Sequence, residues 1–304
     1  MKTVLATVAT GKHGANWKRY LEPAWRAYAG RHGYGLVMYD RLLDDRPVAR
    51  ERKVSWQKWL LLEQPEMAAY DKVVWIDADI FINHIDAPAI DAGHDPDKFA
   101  ICEETPYPAD PLFAMGSARA EAILVASFGQ TYGDAKGGNL YAMSGFSDFK
   151  GPLLNTGVFV AGRREQAGFL RAMYDKYLER GRNAPASEMT PLSYELVTRG
   201  LYQLLDPRFN VIYVKALLSV LHVPAVDPLI NGQIPFIAGM IANSYFLHFA
   251  GRQTDVWLTS FIKLEKGRIG FDKKRLERLV REVTLPRYFG GKPGRKPGRA
   301  RKPS

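Results

Sequence analysis

Apolar segments and helical repeats alternate along the first part of the chain. Residues 3–10 are apolar and β-branched, which is typical of a buried parallel strand, and a glycine-rich turn follows them. In residues 16–31, large apolar side chains recur every three or four positions, which predicts a helix that ends near Gly33. Residues 36–39 predict a second short strand. A strand, a helix and a strand in this order are typical of an α/β fold.

The next segment repeats this order. Ser55 is a suitable N-cap for a helix over residues 55–63. Residues 72–83, KVVWIDADIFIN, form the strongest strand pattern in the chain. The resulting β-α-β-α-β order predicts a doubly wound sheet with a nucleotide-sized crevice at the strand ends.

The middle of the chain is irregular and then becomes regular again. The prolines of residues 103–114 and the glycines of residues 129–152 predict two long loops, which we expect to line a binding site. A candidate helix at residues 118–127 lies between them. Beyond the loops, the pattern predicts strands at residues 153–161 and 211–214 and helices at residues 165–179 and 191–199.

The composition is that of a globular protein. Hydrophobic residues make up 46% and charged residues 24% of the 304 residues, which argues against a disordered or a fibrous chain. Cys102 is the single cysteine, which excludes an intrachain disulfide and a cysteine-rich zinc site and favours a cytoplasmic setting. The threonine-rich N-terminal run does not have the pattern of a signal peptide. Residues 234–251 do not have the pattern of a membrane span.

Positive charge is concentrated toward the C-terminal end. Seven basic residues and no acid follow Pro286, and they supply most of the net charge of +10. We predict one domain over residues 1–270 and an appendage over residues 271–304, made of a basic amphipathic helix and a disordered basic tail. Such a segment favours peripheral contact with an anionic membrane, at its inner face, over specific recognition of nucleic acid.

Two carboxylates follow the most apolar part of the strongest predicted strand. Asp77 and Asp79 are separated by one residue, so on an extended chain their side chains point to the same face. Hard oxygen ligands at that spacing suit Mg²⁺ or Mn²⁺, especially where a substrate phosphate completes the coordination shell. An Asp-X-Asp triplet is also common by chance, and a polar strand end is its simpler interpretation.

Three later motifs favour the functional interpretation. LLNTGVFVA places a polar Asn-Thr-Gly turn before an apolar strand, LDPRFN adds a further turn, and HFAG places His248 beside a small flexible step. Taken singly, an Asn-Thr-Gly turn is usually only a turn, and an isolated histidine is usually a hydrogen-bonded core residue. The order and the spacing of the motifs together indicate one site.

With these motifs, residues 2–257 resemble the metal-dependent, retaining nucleotide-sugar glycosyltransferases of the GT-A fold, in particular the family 8 group that includes glycogenin and the lipopolysaccharide galactosyltransferases. The resemblance rests on YDKVVWIDADIFI, LLNTGVFVA, LDPRFNVIY and HFAG. It implies an α/β, Rossmann-like domain with a mixed sheet flanked by helices. It also implies transfer of a hexose from a nucleotide diphosphate sugar, with UDP as the expected nucleotide, to a hydroxyl group of a carbohydrate or glycolipid acceptor.

The same resemblance implies roles for individual residues. Asp77, Asp79 and His248 match the protein ligands of a bound Mn²⁺ or Mg²⁺. The matches for donor binding are Val8, Thr10, Trp17, Lys58, Asp77 and Arg252, and the matches for catalysis are Asp79, Asn155 and Glu188.

Three of these matches carry a specific expectation. Asn155 is expected to face the donor sugar, and Glu188 to lie near its anomeric carbon. Arg252 stands near the position at which the family often carries a lysine after the HFxG motif. Its guanidinium can pair two phosphate oxygens in place of that lysine.

The expected chemistry is departure of a nucleoside diphosphate from the donor, with a metal ion and a nearby cation stabilising the negative charge of the leaving group. The resemblance favours attack on the same face of the sugar, assisted by the leaving phosphate. Two alternatives stay open. The first is a phosphatase of the haloacid dehalogenase type, which also carries Asp-X-Asp after an apolar strand. The second is a non-catalytic protein that binds sugar or nucleic acid.

Overall fold

A six-stranded mixed sheet forms the centre of the fold. The computed structural model describes residues 1–104, 140–177, 188–213 and 243–250. The strands of this sheet are β1 (Thr3–Val8), β2 (Gly35–Tyr39), β3 (Lys72–Ile76), β5 (Phe99–Glu103), β6 (Leu154–Gly162) and β7 (Tyr202–Leu204). Their order across the sheet is β2-β1-β3-β6-β5-β7. Strand β1 is parallel to β2 and β3, whereas β6 is antiparallel to both β3 and β5. The predicted mixed α/β architecture is thus confirmed.

The helical segment between β1 and β2 is longer than predicted. It consists of α1 (Gly11–Asn16), a π-helical turn (Trp17–Leu21) and α2 (Glu22–His32), so it begins directly after the first strand instead of after a loop. Gly33 ends it in the left-handed conformation, at φ 69°, which a residue without Cβ adopts at little cost. The predicted end of the helix is confirmed, and its predicted start is wrong.

The segment before β3 is made of short helices. Helix α3 (Pro47–Arg50) precedes a 3₁₀ helix at Val54–Glu63 and a second one at Pro65–Ala69. The residue that precedes the first 3₁₀ helix is Lys53, and no side chain caps the helix, so the predicted N-cap role of Ser55 is wrong. Most residues of this 3₁₀ helix are buried, which explains why its apolar positions do not form a single stripe.

Two of the three helices after the sheet centre agree with the sequence pattern. The short helix α4 (Leu140–Met143) lies within residues 129–152, which were predicted to form a loop. Helices α5 (Arg163–Lys176) and α6 (Met189–Thr198) correspond to the two predicted helices. Asp206 caps a 3₁₀ helix at Pro207–Asn210 by accepting a hydrogen bond from the Arg208 N–H. Strand β8 (Val211–Ile212) follows immediately.

A second, three-stranded sheet corrects one prediction. The single strand expected over residues 72–83 is two strands, β3 and β4 (Ile80–Ile82), and they belong to different sheets. Strand β4 pairs antiparallel with β9 (Phe246–His248), which is parallel to β8. The chain therefore leaves the large sheet at Asp77-Ala78-Asp79, and the two aspartates lie in the connection between the two sheets.

The apolar core lies on both faces of the large sheet. On one face, Leu5 and Val74 belong to a buried cluster with Trp25 of α2 and Phe246 of β9. On the other face, a second cluster joins alternate strand residues to the 3₁₀ helix at Val54–Glu63 and to α5 and α6. Burial of both faces explains why the strands read as continuous apolar runs.

Several sequence predictions lie outside the described residues. These are the helix at residues 118–127, most of the two predicted loops, Arg252, and the basic helix and tail of residues 271–304. Within the part of the chain that the structure describes, no helix is long and apolar enough to cross a membrane.

Candidate metal centre

Asp77, Asp79 and His248 converge at the end of β3. One carboxylate oxygen of each aspartate and one imidazole nitrogen lie within 4.8 Å of one another. His248 Nε2 is 3.3 Å from Asp79 Oδ1 and 3.9 Å from Asp77 Oδ2. The two carboxylates are 27% and 31% exposed, whereas the imidazole is buried. The three side chains therefore form a group that a ligand can reach from the carboxylate side.

The backbone brings this group together through the small sheet. Ile80 of β4 is the register partner of His248 in β9, and the Phe249 N–H donates to the Asp79 carbonyl oxygen at 3.0 Å. On the other side, the Asp77 N–H donates to the Gly157 carbonyl oxygen of β6 at 2.8 Å. The two aspartates are therefore brought together by these backbone contacts, and not by the shared face of one extended strand that was predicted.

The carboxylate of Asp77 is anchored through one of its oxygens. Oδ1 accepts hydrogen bonds from Trp75 Nε1 at 2.7 Å and from Lys58 Nζ at 3.1 Å. The other oxygen, Oδ2, is the one that faces His248. The anchoring of Oδ1 leaves Oδ2 directed toward the candidate metal position.

Lys58 is a buried counter-ion and not an open surface cation. Its side chain is 0% exposed, and Nζ lies 2.9 Å from Glu188 Oε1 as well as 3.1 Å from Asp77. Nζ also donates to the Thr156 carbonyl oxygen at 2.9 Å. Glu188 in turn accepts a hydrogen bond from Thr156 Oγ1 at 3.1 Å. Both Lys58, expected to contact the donor, and Glu188, expected near the anomeric carbon, are thus held within the protein on the Asp77 side of the site.

The pKa values of this cluster follow from burial and mutual attraction. Burial alone would lower the pKa of Lys58, but the carboxylates of Asp77 and Glu188 outweigh it and raise the pKa. Burial would raise the pKa of Glu188, but Lys58 and a hydrogen bond from Ser55 lower it to about 2. At Asp77, burial prevails over the nearby Lys58 and raises the pKa. A divalent cation in front of Asp77 would favour its ionised form.

The imidazole of His248 is held from behind by an amide. Its Nδ1 lies 2.9 Å from Asn210 Oδ1, so Nε2 is the nitrogen that faces the two aspartates. Burial would lower the pKa of His248, but the charges of Asp79 and Asp77 outweigh burial and raise it. Two carboxylates and one imidazole form a hard, oxygen-rich donor set, which suits Mn²⁺ or Mg²⁺.

The Asn-Thr-Gly motif lies inside β6 and not in a turn before it. Ile101 of β5 is paired with Phe159, but the next residue, Cys102, is paired with Asn155, so the residues between Asn155 and Phe159 have no register partner in β5. Such bulges bend a strand and redirect its side chains. Here the bulge presents Thr156 to Lys58 and brings Gly157 against the His248 ring.

Three of the residues expected at the donor, Val8, Thr10 and Trp17, lie between the end of β1 and the π-helical turn of the helical segment that follows it. Val8 is buried at the end of β1, and Thr10 is half-buried just before α1. Trp17 is buried edge to face against Trp25, with ring centroids 5.3 Å apart. Its Nε1 has no hydrogen-bond partner among the described residues. Asn155, expected to face the sugar, is buried and hydrogen-bonded to Asn210 and Glu104.

Sequence reasoning missed four residues of this site. Trp75 anchors Asp77, Gly157 leaves room for the imidazole, and Asn210 and Glu104 extend the polar chain behind His248. Trp75, Gly157 and Asn210 lie inside the motifs that carry the resemblance, which was the available signal. Glu104 gave no signal, because its contact with Asn155 depends on the pairing of β5 with β6.

Comparison with known proteins identifies the fold. No protein-family model matches the sequence, and no curated protein matches it. A solved glycosyltransferase involved in the glycosylation of the major capsid of PBCV-1 has a TM-score of 0.52 and 13% sequence identity, covering 86% of this chain and all (100%) of that one. The galactosyltransferase LgtC, solved in complex with donor and acceptor sugar analogues, has a TM-score of 0.50 and 12% identity, covering 89% of this chain and 98% of that one.

At such identities the likeness establishes the fold alone. It agrees with the mixed α/β architecture of this chain. The phosphatase alternative is not favoured by this fold. The chain therefore has the GT-A glycosyltransferase fold, with an Asp-Asp-His group able to hold a metal ion at the end of its third strand.

Proposed function

We propose that this protein is a metal-dependent glycosyltransferase that moves a hexose from a UDP-linked sugar to a hydroxyl group of a carbohydrate or glycolipid. The convergence of Asp77, Asp79 and His248 within 4.8 Å, in a fold shared with sugar transferases, carries the proposal. Asp77 and Asp79 are partly exposed, which gives a nucleotide diphosphate access to the group.

The chemistry of the site follows from the charge of the leaving group. When the bond between sugar and phosphate breaks, the departing diphosphate gains negative charge, and catalysis requires that this charge be stabilised. Asp77, Asp79 and His248 would hold a divalent ion, which would supply that stabilisation as a Lewis acid. Lys58 keeps Asp77 oriented through Oδ1, so the chain itself fixes the position of one ligand before the donor arrives.

The surroundings of Glu188 support attack on the same face of the sugar. A double-displacement route needs a carboxylate that is free to bond the anomeric carbon. Glu188 is buried, and its Oε1 is bonded to both Lys58 and Thr156. This engagement opposes a nucleophilic role for Glu188 and favours attack by the acceptor hydroxyl, assisted by the leaving phosphate.

A screen of nucleotide sugars with and without Mn²⁺ tests the proposal. Release of nucleoside diphosphate is measured for wild type, for Asp79→Ala and for Asp97→Ala, which removes an exposed carboxylate outside the site. We expect Mn²⁺-dependent release from one UDP sugar, abolished in Asp79→Ala and retained in Asp97→Ala. Hydrolysis of simple phosphate esters, with no nucleoside diphosphate released from any donor, would instead support the phosphatase alternative.

A further inference from the structure

A chain of four polar side chains runs inward from the candidate metal centre. His248 Nδ1 contacts Asn210 Oδ1 at 2.9 Å, and Asn210 Nδ2 donates to Asn155 Oδ1 at 2.7 Å. Asn155 Nδ2 donates in turn to the carboxylate of Glu104. The first three residues come from β9, the 3₁₀ helix at Pro207–Asn210 and β6, so the chain joins three separate elements.

The end of this chain at β6 has a fixed polarity. The Gly157 backbone N–H can only donate, and it donates to Asn155 Oδ1 at 2.8 Å. The Glu104 carboxylate oxygen Oε2 accepts the hydrogen bond of Asn155 Nδ2. Both partners therefore require the same orientation of the Asn155 amide. In a flipped amide, the NH₂ group would face the Gly157 N–H donor, and the amide oxygen would face the Glu104 carboxylate acceptor.

This orientation places a hydrogen-bond acceptor opposite Nδ1 of His248. Asn155 Oδ1 is an acceptor, so the Asn210 atom that contacts it at 2.7 Å is the NH₂ group. The opposite atom of that amide, Oδ1, then faces the imidazole and accepts a proton from Nδ1. With the proton on Nδ1, the second nitrogen of the neutral ring, Nε2, would keep its lone pair on the side of Asp77 and Asp79.

We propose that Asn210 and Asn155 are positioning residues that hold His248 as the Nδ1–H tautomer, so that Nε2 is ready to bind the metal. Histidines that bind metals are generally oriented by a hydrogen bond on the other ring nitrogen. Here the orienting group is an amide relay that ends on a carboxylate and a backbone N–H. This inference rests on the proposed metal role of His248, but its principal test requires neither a donor nor turnover.

Burial makes this relay selective. Asn210 is 1% exposed, His248 4% and Asn155 6%, so water does not readily replace a lost partner. An apolar side chain at position 210 would remove the acceptor that faces Nδ1. The proton would then no longer be favoured on Nδ1 over Nε2. A relay that served only to hold β6 and β9 together would change stability without changing the tautomer.

The test is a long-range ¹H–¹⁵N correlation spectrum of the protein labelled on its histidine rings, at alkaline pH where the imidazole is neutral. His248→Gln assigns the His248 signals. We expect Nδ1 to carry the proton in wild type and in Asn210→Asp, which keeps an acceptor facing the ring. We expect a tautomer mixture in Asn210→Leu, and an unchanged spectrum in Gln166→Leu, which removes a buried amide that bonds the Pro96 carbonyl oxygen elsewhere.

Mn²⁺ binding, followed by electron paramagnetic resonance, gives a second measurement. Loss of an orienting partner typically weakens metal affinity roughly 10–100-fold, and we expect that range for Asn210→Leu. An Nε2–H tautomer in wild type overturns the proposal even if Asn210→Leu does not fold. If wild type has the Nδ1–H tautomer but does not bind Mn²⁺, the metal-dependent function fails while the tautomer assignment stands.

Discussion

Gly157 of β6 lies directly against the imidazole of His248. A Cβ atom on Gly157 would stand 2.5 Å from His248 Cε1 and 2.8 Å from Nδ1, closer than such atoms approach in proteins. Gly157 has no positive φ, so the glycine serves close approach and not backbone conformation. The bulge in β6 and the small residue at its centre together make room for the third candidate ligand.

Gly157→Ala is therefore expected to displace His248 from the two aspartates. Overpacking of this kind costs about 1–3 kcal/mol of unfolding free energy, and a shifted ring weakens Mn²⁺ binding by roughly tenfold or more. Urea unfolding and Mn²⁺ titration measure the two effects.

Gly168→Ala is the matched control, because a Cβ there meets no atom within 4 Å and the residue lies in α5. Alanine is favoured over glycine inside a helix by about 0.5–1 kcal/mol, so this variant should be slightly more stable and bind Mn²⁺ normally. Equal Mn²⁺ affinity in both variants would contradict the steric role of Gly157.

Lys58→Met is expected to destabilise the protein strongly. The substitution leaves the carboxylates of Asp77 and Glu188 without their shared cation, and loss of one partner from a buried ion pair costs about 3–5 kcal/mol. Adding Glu188→Leu to the same chain should recover part of that loss, because one uncompensated buried charge disappears.

Lys98→Met serves as the comparison for this prediction. Lys98 and Asp95 form a half-exposed pair at 3.9 Å, and such pairs contribute about 0–1 kcal/mol. The measurement is the urea midpoint of each variant. Equal midpoints for Lys58→Met and Lys98→Met would show that Lys58 is not the counter-ion of the buried carboxylates.

The low pKa of Glu188 predicts a loss of stability in acid. The folded-state pKa is about 2, below the ordinary value of 4.5, so the unfolded chain takes up the proton first as pH falls. The stabilising contribution of Glu188 is complete above pH 4.5 and is lost as pH falls toward 2. The difference in unfolding free energy between wild type and Glu188→Gln should shrink over that range. A difference that stays constant with pH would contradict the ion pair.

Local pattern was sufficient for four of the six strands of the central sheet and for the two aspartates, whereas β5 and β7 were not predicted. The β-branched runs at β1 and β3 and the apolar run of β6 identify buried strands without knowledge of their partners. The break between β3 and β4 could not be predicted, because residues 80–82 are as apolar as those before them. Only their pairing with β9, far along the chain, separates them from the large sheet.

The supporting residues were harder to predict than the candidate ligands. Asp77, Asp79 and His248 are chemically conspicuous, whereas Asn210 and Gly157 read as ordinary turn residues. Their roles arise from the register shift in β6 and from the docking of β9. Lys58 was expected near the donor, but the carbonyl oxygen of Thr156 and the carboxylate of Glu188 hold it inside.

Anomalous diffraction from crystals soaked with Mn²⁺ and UDP tests the central claim most directly. The account predicts one manganese peak in contact with Asp77 Oδ2, a carboxylate oxygen of Asp79 and His248 Nε2, with the diphosphate on its open side. An Asp79→Asn crystal soaked in the same way should show a weaker peak or none. Diphosphate bound with no manganese at these three side chains, or manganese bound elsewhere, would contradict it.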